Sequence, residues 1–270
     1  MAKLFARVVP ESTATQRNDV TTLPDVQSAS ENQAVFTLYQ LGILTGSDKY
    51  GTFHPYQYIK RSETAAILNR VLDPDTRKSF ILEEAPTVEQ IYANALVQAW
   101  DYFKDDIEFA QDIGIDMGDF GYTLYDIDNN GVPELLVGFT GDEPEFVYAA
   151  YTIQNYHAVC LFTGSIPTGG GGQDNYVLCG NGVIQNSWIG GFDSYGSAYY
   201  KLNSSGSLKL LEAWEFQYDP NPNKQYRYSS TSTDPWGNPK AFKYVKESYI
   251  NNLANKYGDT LRFNFTPVFD

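Results

Sequence analysis

From residue 120 onward this chain becomes a series of short runs rich in aromatic and β-branched residues, each ended by a cluster of Gly, Asn, Asp or Ser. GYTLYDI, ELLVGF, FVYAAYTI, AVCLFTG, NYVLCG, GVIQNSW, SAYYKL, SLKLLEAWEF and QYRYSS follow one another between residues 121 and 230. Runs of this length, punctuated this often, predict antiparallel strands joined by tight turns. CGNGV and NSSGS supply the positive-φ residues that hairpin turns need. Before residue 120 the spacing is helical. TVEQIYANALVQAWDYFKDDIEFAQDIG predicts a long helix capped by Thr87, with Glu89 close behind and Ile91, Leu96, Trp100 and Phe103 on a face turned to a sheet. A further helix over about 240–257 and a last strand, LRFNF, complete the pattern. Helix, many antiparallel strands, then helix gives an α+β fold with a β-meander flanked by helices.

The first quarter of the chain reads as helix, turn, loop, helix. Ser28 or Ser30 caps a helix with Ala34, Val35, Leu38 and Leu41 on its apolar face, and Gly42 and Gly46 end and turn it. SDKYGTFHPYQY has no helical period. Ser62 and Glu63 open a second helix through Ala65, Ala66, Leu68 and Val71, closed by Asp73-Pro74. The expected organisation is a small all-α segment at 1–74, a linker of mixed polarity at 75–86 and an α+β domain at 87–270, each domain large enough to bury a core.

The run LYQLGILTGSDKYGTFHPYQYIKRSETAAILNRVL, residues 38–72, with LPDV at 23–26 before it, resembles an S-layer homology motif. MAKLFARVV at the start resembles the end of a preceding motif, so the sequence is expected to begin inside a tandem array. The resemblance implies an extracellular protein held at the cell wall or S-layer of a Gram-positive envelope, with secondary cell-wall polysaccharide as its partner. It also implies glycan-binding residues. Arg61, in the segment IKRSE, stands where the family places an anion-binding arginine, and Gly46 belongs to the same expected site; Lys60 and Ser62 replace the family's Thr and Ala. An arginine at a helix N-terminus adds its fork of donors to the positive end of the dipole, which suits a carboxylate such as a pyruvyl ketal. Pairing with Glu63 is the other use such an arginine has. Because the family packs three motifs around one axis, self-association is expected to complete the packing of the single motif and tail present here.

The segment YDIDNNGVPELLVG, residues 125–138, carries the metal chemistry. Asp126, Asp128 and Asn130 alternate and Gly131 follows, matching the first six positions of a calcium loop; Val137 holds the twelfth, where an EF-hand has a bidentate Glu. This is not an EF-hand. A metal reading gathers the side chains of Asp126, Asp128, Asn130 and Glu134 and the Val132 carbonyl around one Ca2+. A turn reading has Asp126 and Asp128 accepting backbone N–H groups, with Asn130-Gly131 making the left-handed step. The segment also resembles the YDIDGDGxPELL stretch of uncharacterised secreted Gram-positive proteins, which implies a strand-to-strand position and no activity.

With 33 acidic against 19 basic residues, the net charge of −14 disfavours nucleic acid or an anionic membrane as partner. No apolar run approaches the ~20 residues needed to span a bilayer, and any export signal is expected outside this sequence. Cys160 and Cys179 are expected as two buried free thiols, with a single bridge between neighbouring strands as the alternative. The two histidines, without G-x-S-x-G or H-E-x-x-H, support neither a hydrolytic triad nor a zinc protease, and His157 and Cys160 point to opposite faces of one strand. Glu143, Glu145, Glu212 and Glu215 are the carboxylates a glycosidase could draw on. Trp188, Phe192, Tyr195, Tyr199 and Tyr200 form either a sugar-stacking surface or packed core, and TGGGGQ is a hairpin loop rather than a nucleotide loop. The reading that follows is an envelope protein displaying a non-catalytic, calcium-stabilised domain; a wall-tethered hydrolase is the alternative.

Overall fold

The computed structural model describes residues 1–270 except 28–29, 142–144, 169–172, 191–192, 234–237 and 270. Ser28, Glu143, Phe192 and the glycines of TGGGGQ therefore lie outside the described residues. The chain divides into two compact units, Met1–Pro86 and Thr87–Asp270.

The first unit holds α1 (Ala2–Val8), α2 (Gln33–Gln40) and α3 (Arg61–Leu72). Helix α2 buries Val35, Phe36, Leu38 and Tyr39, because it has a neighbour on two sides. Leu38 joins Phe5, Leu41, Ile43, Ile67 and Val71 in one cluster. Val35, Phe36 and Tyr39 join Val20, Leu23 and Val26 in a second. A single 3-10 turn, Ser30–Asn32, precedes α2, and Asn32 holds its N-cap position without a side-chain bond. In α3 only Ile67 and Val71 are buried. The helix runs through Ala65, Ala66, Leu68 and Val71 as expected, and of these Ala65, Ala66 and Leu68 are exposed, the packing taking the Ile67–Val71 stripe.

Residues 75–86 are not a free linker. Phe80 and Leu82, two positions apart, pack on the second cluster, and Phe80 meets the Tyr39 ring edge-on at 6.4 Å. Lys78 N–H donates to Gly42 O at 2.9 Å and Glu83 N–H to Lys49 O at 3.0 Å. Buried Asn18 donates to Tyr39 O at 2.9 Å and Lys78 O at 3.0 Å, and accepts from Phe80 N–H at 2.8 Å. One side chain thus bonds three backbone groups from two segments and ties residues 78–80 to the end of α2.

The second unit opens with α4 (Val88–Asp112), whose capping box pairs Thr87 N–H with Gln90 Oε1 at 2.8 Å and Gln90 N–H with Thr87 Oγ1 at 3.3 Å. Strands β1 (Phe120–Tyr125), β2 (Glu134–Phe139), β3 (Ala149–Gln154), β4 (His157–Thr163), β5 (Gln173–Cys179), β6 (Val183–Ile189), β7 (Ser194–Leu202), β8 (Leu208–Gln217), β9 (Tyr226–Ser229) and β10 (Lys243–Val245) follow, then α5 (Glu247–Ala254) and β11 (Thr266–Pro267). They form two antiparallel sheets, ordered β11-β1-β2-β3-β4 and β10-β9-β8-β7-β6-β5. Within this unit α4 covers one face of the first sheet, its Ile91, Ala95, Ala99 and Phe103 sharing a core with Leu135 and Val137 of β2. Leu136, Ala150, Phe162, Leu178 and Ile184 fill the space between sheets. On the far side Leu253, just before the end of α5, and Tyr257, just past it, lie on Cys179, Val183 and Tyr199. Strand β2 is buried on both faces, which is why ELLVGF is a continuous apolar run with no polar alternation.

Two expectations are corrected at the C-terminus. The stretch 240–257 splits into β10 and the shorter α5. LRFNF is not a strand: it crosses from one sheet to the other, from a bridge at Cys179–Thr260 to the β1–β11 pair, with Leu261 N–H donating to Leu178 O at 2.7 Å. Phe263 and Phe265 sink into the inter-sheet core on the way. A Cβ on Gly138 would lie 2.3 Å from the Phe265 ring, so only glycine admits that ring there. Among the described residues no helix is long and apolar enough to cross a membrane.

Candidate metal centre

The segment singled out in the sequence is the loop between β1 and β2. Tyr125 and Glu134 are paired across the two strands, so residues 126–133 must turn back within eight positions. Asn129 (φ 59°) and Gly131 (φ 88°) take the left-handed steps; Asn130, expected in that role, does not. Ile127, between the two aspartates, is 1% exposed and plugs into the inter-sheet core, which pins the loop from inside. From α4, Tyr92 donates its hydroxyl to Pro133 O at 2.9 Å and holds the far end.

This anchoring turns three carboxylates toward one point: one oxygen from each of Asp126, Asp128 and Glu134 lies within 4.8 Å of the others. The turn reading is also realised. Asp126 accepts from Asn130 N–H at 3.0 Å and Gly131 N–H at 2.8 Å, and Asp128 from Asn130 N–H at 3.2 Å. Asn130 Oδ1 is occupied as the acceptor of Val132 N–H at 2.7 Å. Glu134 is fully buried, accepting from Ile127 N–H at 2.9 Å and Thr152 Oγ1 at 3.0 Å. Burial pushes its carboxyl above the ordinary range; those two donors pull it back, and Asp128 and Asp126 push it up again. Among the described residues no Lys or Arg pairs with any of the three. The donor set is all oxygen and doubly or triply anionic, which fits a hard cation such as calcium and not a soft one. Asp126, Asp128 and Glu134 would hold the ion, and the neutral Asn130 amide and the Val132 carbonyl are the further oxygens that the loop offers.

In the first unit, Arg61 is the first residue of α3 and is exposed. Its expected competitor is otherwise engaged: Glu63 Oε2 accepts from Lys60 N–H at 2.9 Å. Gly46 (φ 78°) has a structural role, since a Cβ there would lie 2.5 Å from the Gly51 backbone. Asp25, which the sequence reading passed over except as part of LPDV, clamps the loop before α3 by accepting from Phe53 N–H at 2.9 Å and His54 N–H at 2.6 Å. Comparison of the chain with protein-family models, curated proteins and solved structures finds no match. The functional reading of both units therefore stands on their own residues.

The remaining candidates disperse. Glu212 and Glu215 pair with Tyr199 and Gly196 of β7, three residues apart on β8, so they face opposite sides of the sheet. Glu212 accepts from Tyr228 at 2.9 Å, from Lys256 at 2.6 Å and from the Tyr257 hydroxyl. Glu215 pairs with Arg227 at 3.0 Å, and Glu145 with Arg262 at 3.3 Å. Trp188 and Tyr200 face inward, Trp188 lying over Gly196, and Tyr199 is buried against the Tyr257 ring at 4.5 Å. Tyr199 shares its face of β7 with Tyr195 but lies under Tyr257, so of the described aromatic candidates only Tyr195 is exposed, at 41%. Both cysteines are free, but Cys160 is exposed, since its strand β4 is an edge strand; only Cys179 is buried.

Proposed function

We propose that this chain is a cell-envelope protein that binds secondary cell-wall polysaccharide through its first unit and displays a non-catalytic binding domain, stabilised by calcium, outside the cell. The observation that carries the anchoring is Arg61: an exposed guanidinium at the first residue of α3, with Glu63 turned away to the Lys60 backbone. Helix dipole and guanidinium then act together on one carboxylate of the polymer. Leu4, Val8, Leu68 and Leu72 of α1 and α3 stand exposed, the apolar surface that self-association would cover. A structural calcium suits this setting, because the loop joins two paired strands and has no element that could open on ion loss. The test is a pull-down of purified cell-wall sacculi with the full chain and its Arg61→Ala variant. Retention of the parent and loss of the variant is the expected result; equal retention of both removes Arg61 from the site.

A further inference from the structure

Helix α5 and the turn after it cover only one end of the outer face of the second sheet. Beyond them, the register places Gln185, Ser187, Ser197 and Tyr195 on that same face with Trp214, Phe216 and Tyr226. Tyr195 stacks on Phe216 at 4.8 Å, and Phe216 meets Tyr226 at 5.1 Å, so three neighbouring strands carry one continuous aromatic band. Beside it the Ser187 and Ser197 hydroxyls lie 2.9 Å apart, and Gln185 Nε2 donates to Ser187 at 3.0 Å. At Tyr226 the band runs into a cleft of about 370 Å³, bordered by Asn223, Gln225, Tyr244, Lys246 and Glu247. That volume is within the usual range for small-molecule sites.

The chemistry of this surface narrows its ligand. On a chain of net charge −14 the band itself carries no carboxylate or ammonium, and the cleft's one lysine and one glutamate offset each other. Ser197 is buried, but ring faces next to half-buried Gln185 and Ser187 and the Asn223 and Gln225 amides of the cleft match a molecule with apolar C–H faces and a polar uncharged rim. We propose that this surface binds a neutral glycan chain, laid along the Tyr195–Phe216 pair with one residue entering the cleft at Tyr226. The inference deepens the reading of the second unit as a binding domain, and it uses residues remote in sequence from Arg61.

The experiment is calorimetric titration of the full chain with cellohexaose, xylohexaose, laminarihexaose and chitohexaose in turn. At least one is expected to bind with a Kd of about 0.1–1 mM. Tyr195→Ala should weaken that binding about tenfold, Tyr195→Phe should keep it, and Arg61→Ala should leave it unchanged, with tryptophan emission confirming that the second-unit variants are folded and circular dichroism confirming it for Arg61→Ala. Absence of binding by all four at about 5 mM overturns the proposal. So does binding that Tyr195→Ala and Phe216→Ala leave intact, or that Arg61→Ala abolishes, which would move the glycan to the first unit. A dimer in sedimentation that Tyr195→Ala dissolves, with no sugar bound, would make the band an interface between copies. Failure of sacculus binding alone would strike the anchoring and leave this surface standing.

Discussion

Each unit contains a loop led by an aspartate, and the two differ in how the negative charge is met. In the first unit Asp48 accepts from Tyr50 N–H at 2.9 Å and Thr52 N–H at 3.1 Å, and Gly51 turns the chain at φ 81°. In the second, Asp126 accepts from Asn130 and Gly131, with Gly131 at φ 88°. Both aspartates accept backbone N–H groups of their own turn, Asp48 from the second and fourth residues on and Asp126 from the fourth and fifth. Asp48 then closes on itself, its second oxygen taking the Thr52 hydroxyl at 2.6 Å. Burial would raise its carboxyl, but the Thr52 and Tyr50 donors outweigh it and hold it below the ordinary value. Asp126 gains instead two further carboxylates, Asp128 and the buried Glu134. Turn geometry thus does not separate a loop that satisfies its own aspartate from one that could hold a metal. The third carboxylate, delivered by the first residue of the next strand, does.

The sharpest break in this comparison is Glu134→Ala. It leaves Ile127 N–H and Thr152 Oγ1 without their acceptor, opens a cavity at a fully buried position and removes one of the three proposed ligands. The expected cost is about 3 kcal/mol or more, read as a lower urea midpoint. All four tryptophans, Trp100, Trp188, Trp214 and Trp236, lie in the second unit, so their emission reports that unit alone. A cost under about 1 kcal/mol would show the carboxylate to be dispensable. Next in size is calcium itself. At about 100 times its Kd, one ion stabilises by about 2.7 kcal/mol, or about 5–11 °C in Tm for a unit of this size. The tryptophan-detected transition should rise on adding calcium and fall back with chelator, and Asp128→Ala should abolish the response. A transition unmoved by millimolar calcium sinks the metal reading. Asp48→Ala is the matched control, costing about 1 kcal/mol through the lost turn bonds. Its effect, followed by the helical circular dichroism, should be the same with and without calcium.

Much of this contrast was legible in the sequence, and the gaps have physical causes. The carboxylate cluster of the β1–β2 loop was recognisable because its members are local, all within nine residues. Gly131 makes the left-handed step as expected, but the other positive φ falls on Asn129 rather than Asn130, because the two are chemically alike and only the closure between Tyr125 and Glu134 decides between them. Helix α4 was legible from its cap and its spacing. LRFNF was not, because apolar alternation reports which side chains are buried and not whether the backbone finds a ladder partner; here Phe263 and Phe265 are buried while their backbone passes between sheets. The segment 75–86 looked like a linker since Phe80 and Leu82 are few, yet buried Asn18 supplies the polar bonds that tie it down. The aromatic band on the outer face depends on strand register across β7, β8 and β9, which no local run encodes.

A third carboxylate site extends the comparison, because at Glu212 a lysine supplies the positive charge that the β1–β2 loop lacks. Burial would raise the Glu212 carboxyl, but Lys256 and the Tyr257 and Tyr228 hydroxyls outweigh it and hold it below the ordinary value. Three residues on, burial raises Glu215, and Arg227 offsets this only in part. The two glutamates therefore predict opposite pH slopes. A lowered folded pKa means that Glu212 stabilises above the unfolded value of about 4.3 and loses that contribution as pH falls through its folded pKa. The deficit of Glu212→Gln should accordingly shrink from pH 5 to pH 3. A raised folded pKa means that the contribution of Glu215 is full below about 4.3 and is lost as pH rises through its folded pKa. The deficit of Glu215→Gln should accordingly shrink as pH rises above 5. Urea midpoints of both variants, taken in chelator to keep calcium out of the balance, read the two slopes directly. Parallel slopes would mean that the lysine and the arginine meet their carboxylates equally, and that charge compensation does not distinguish the two faces of β8.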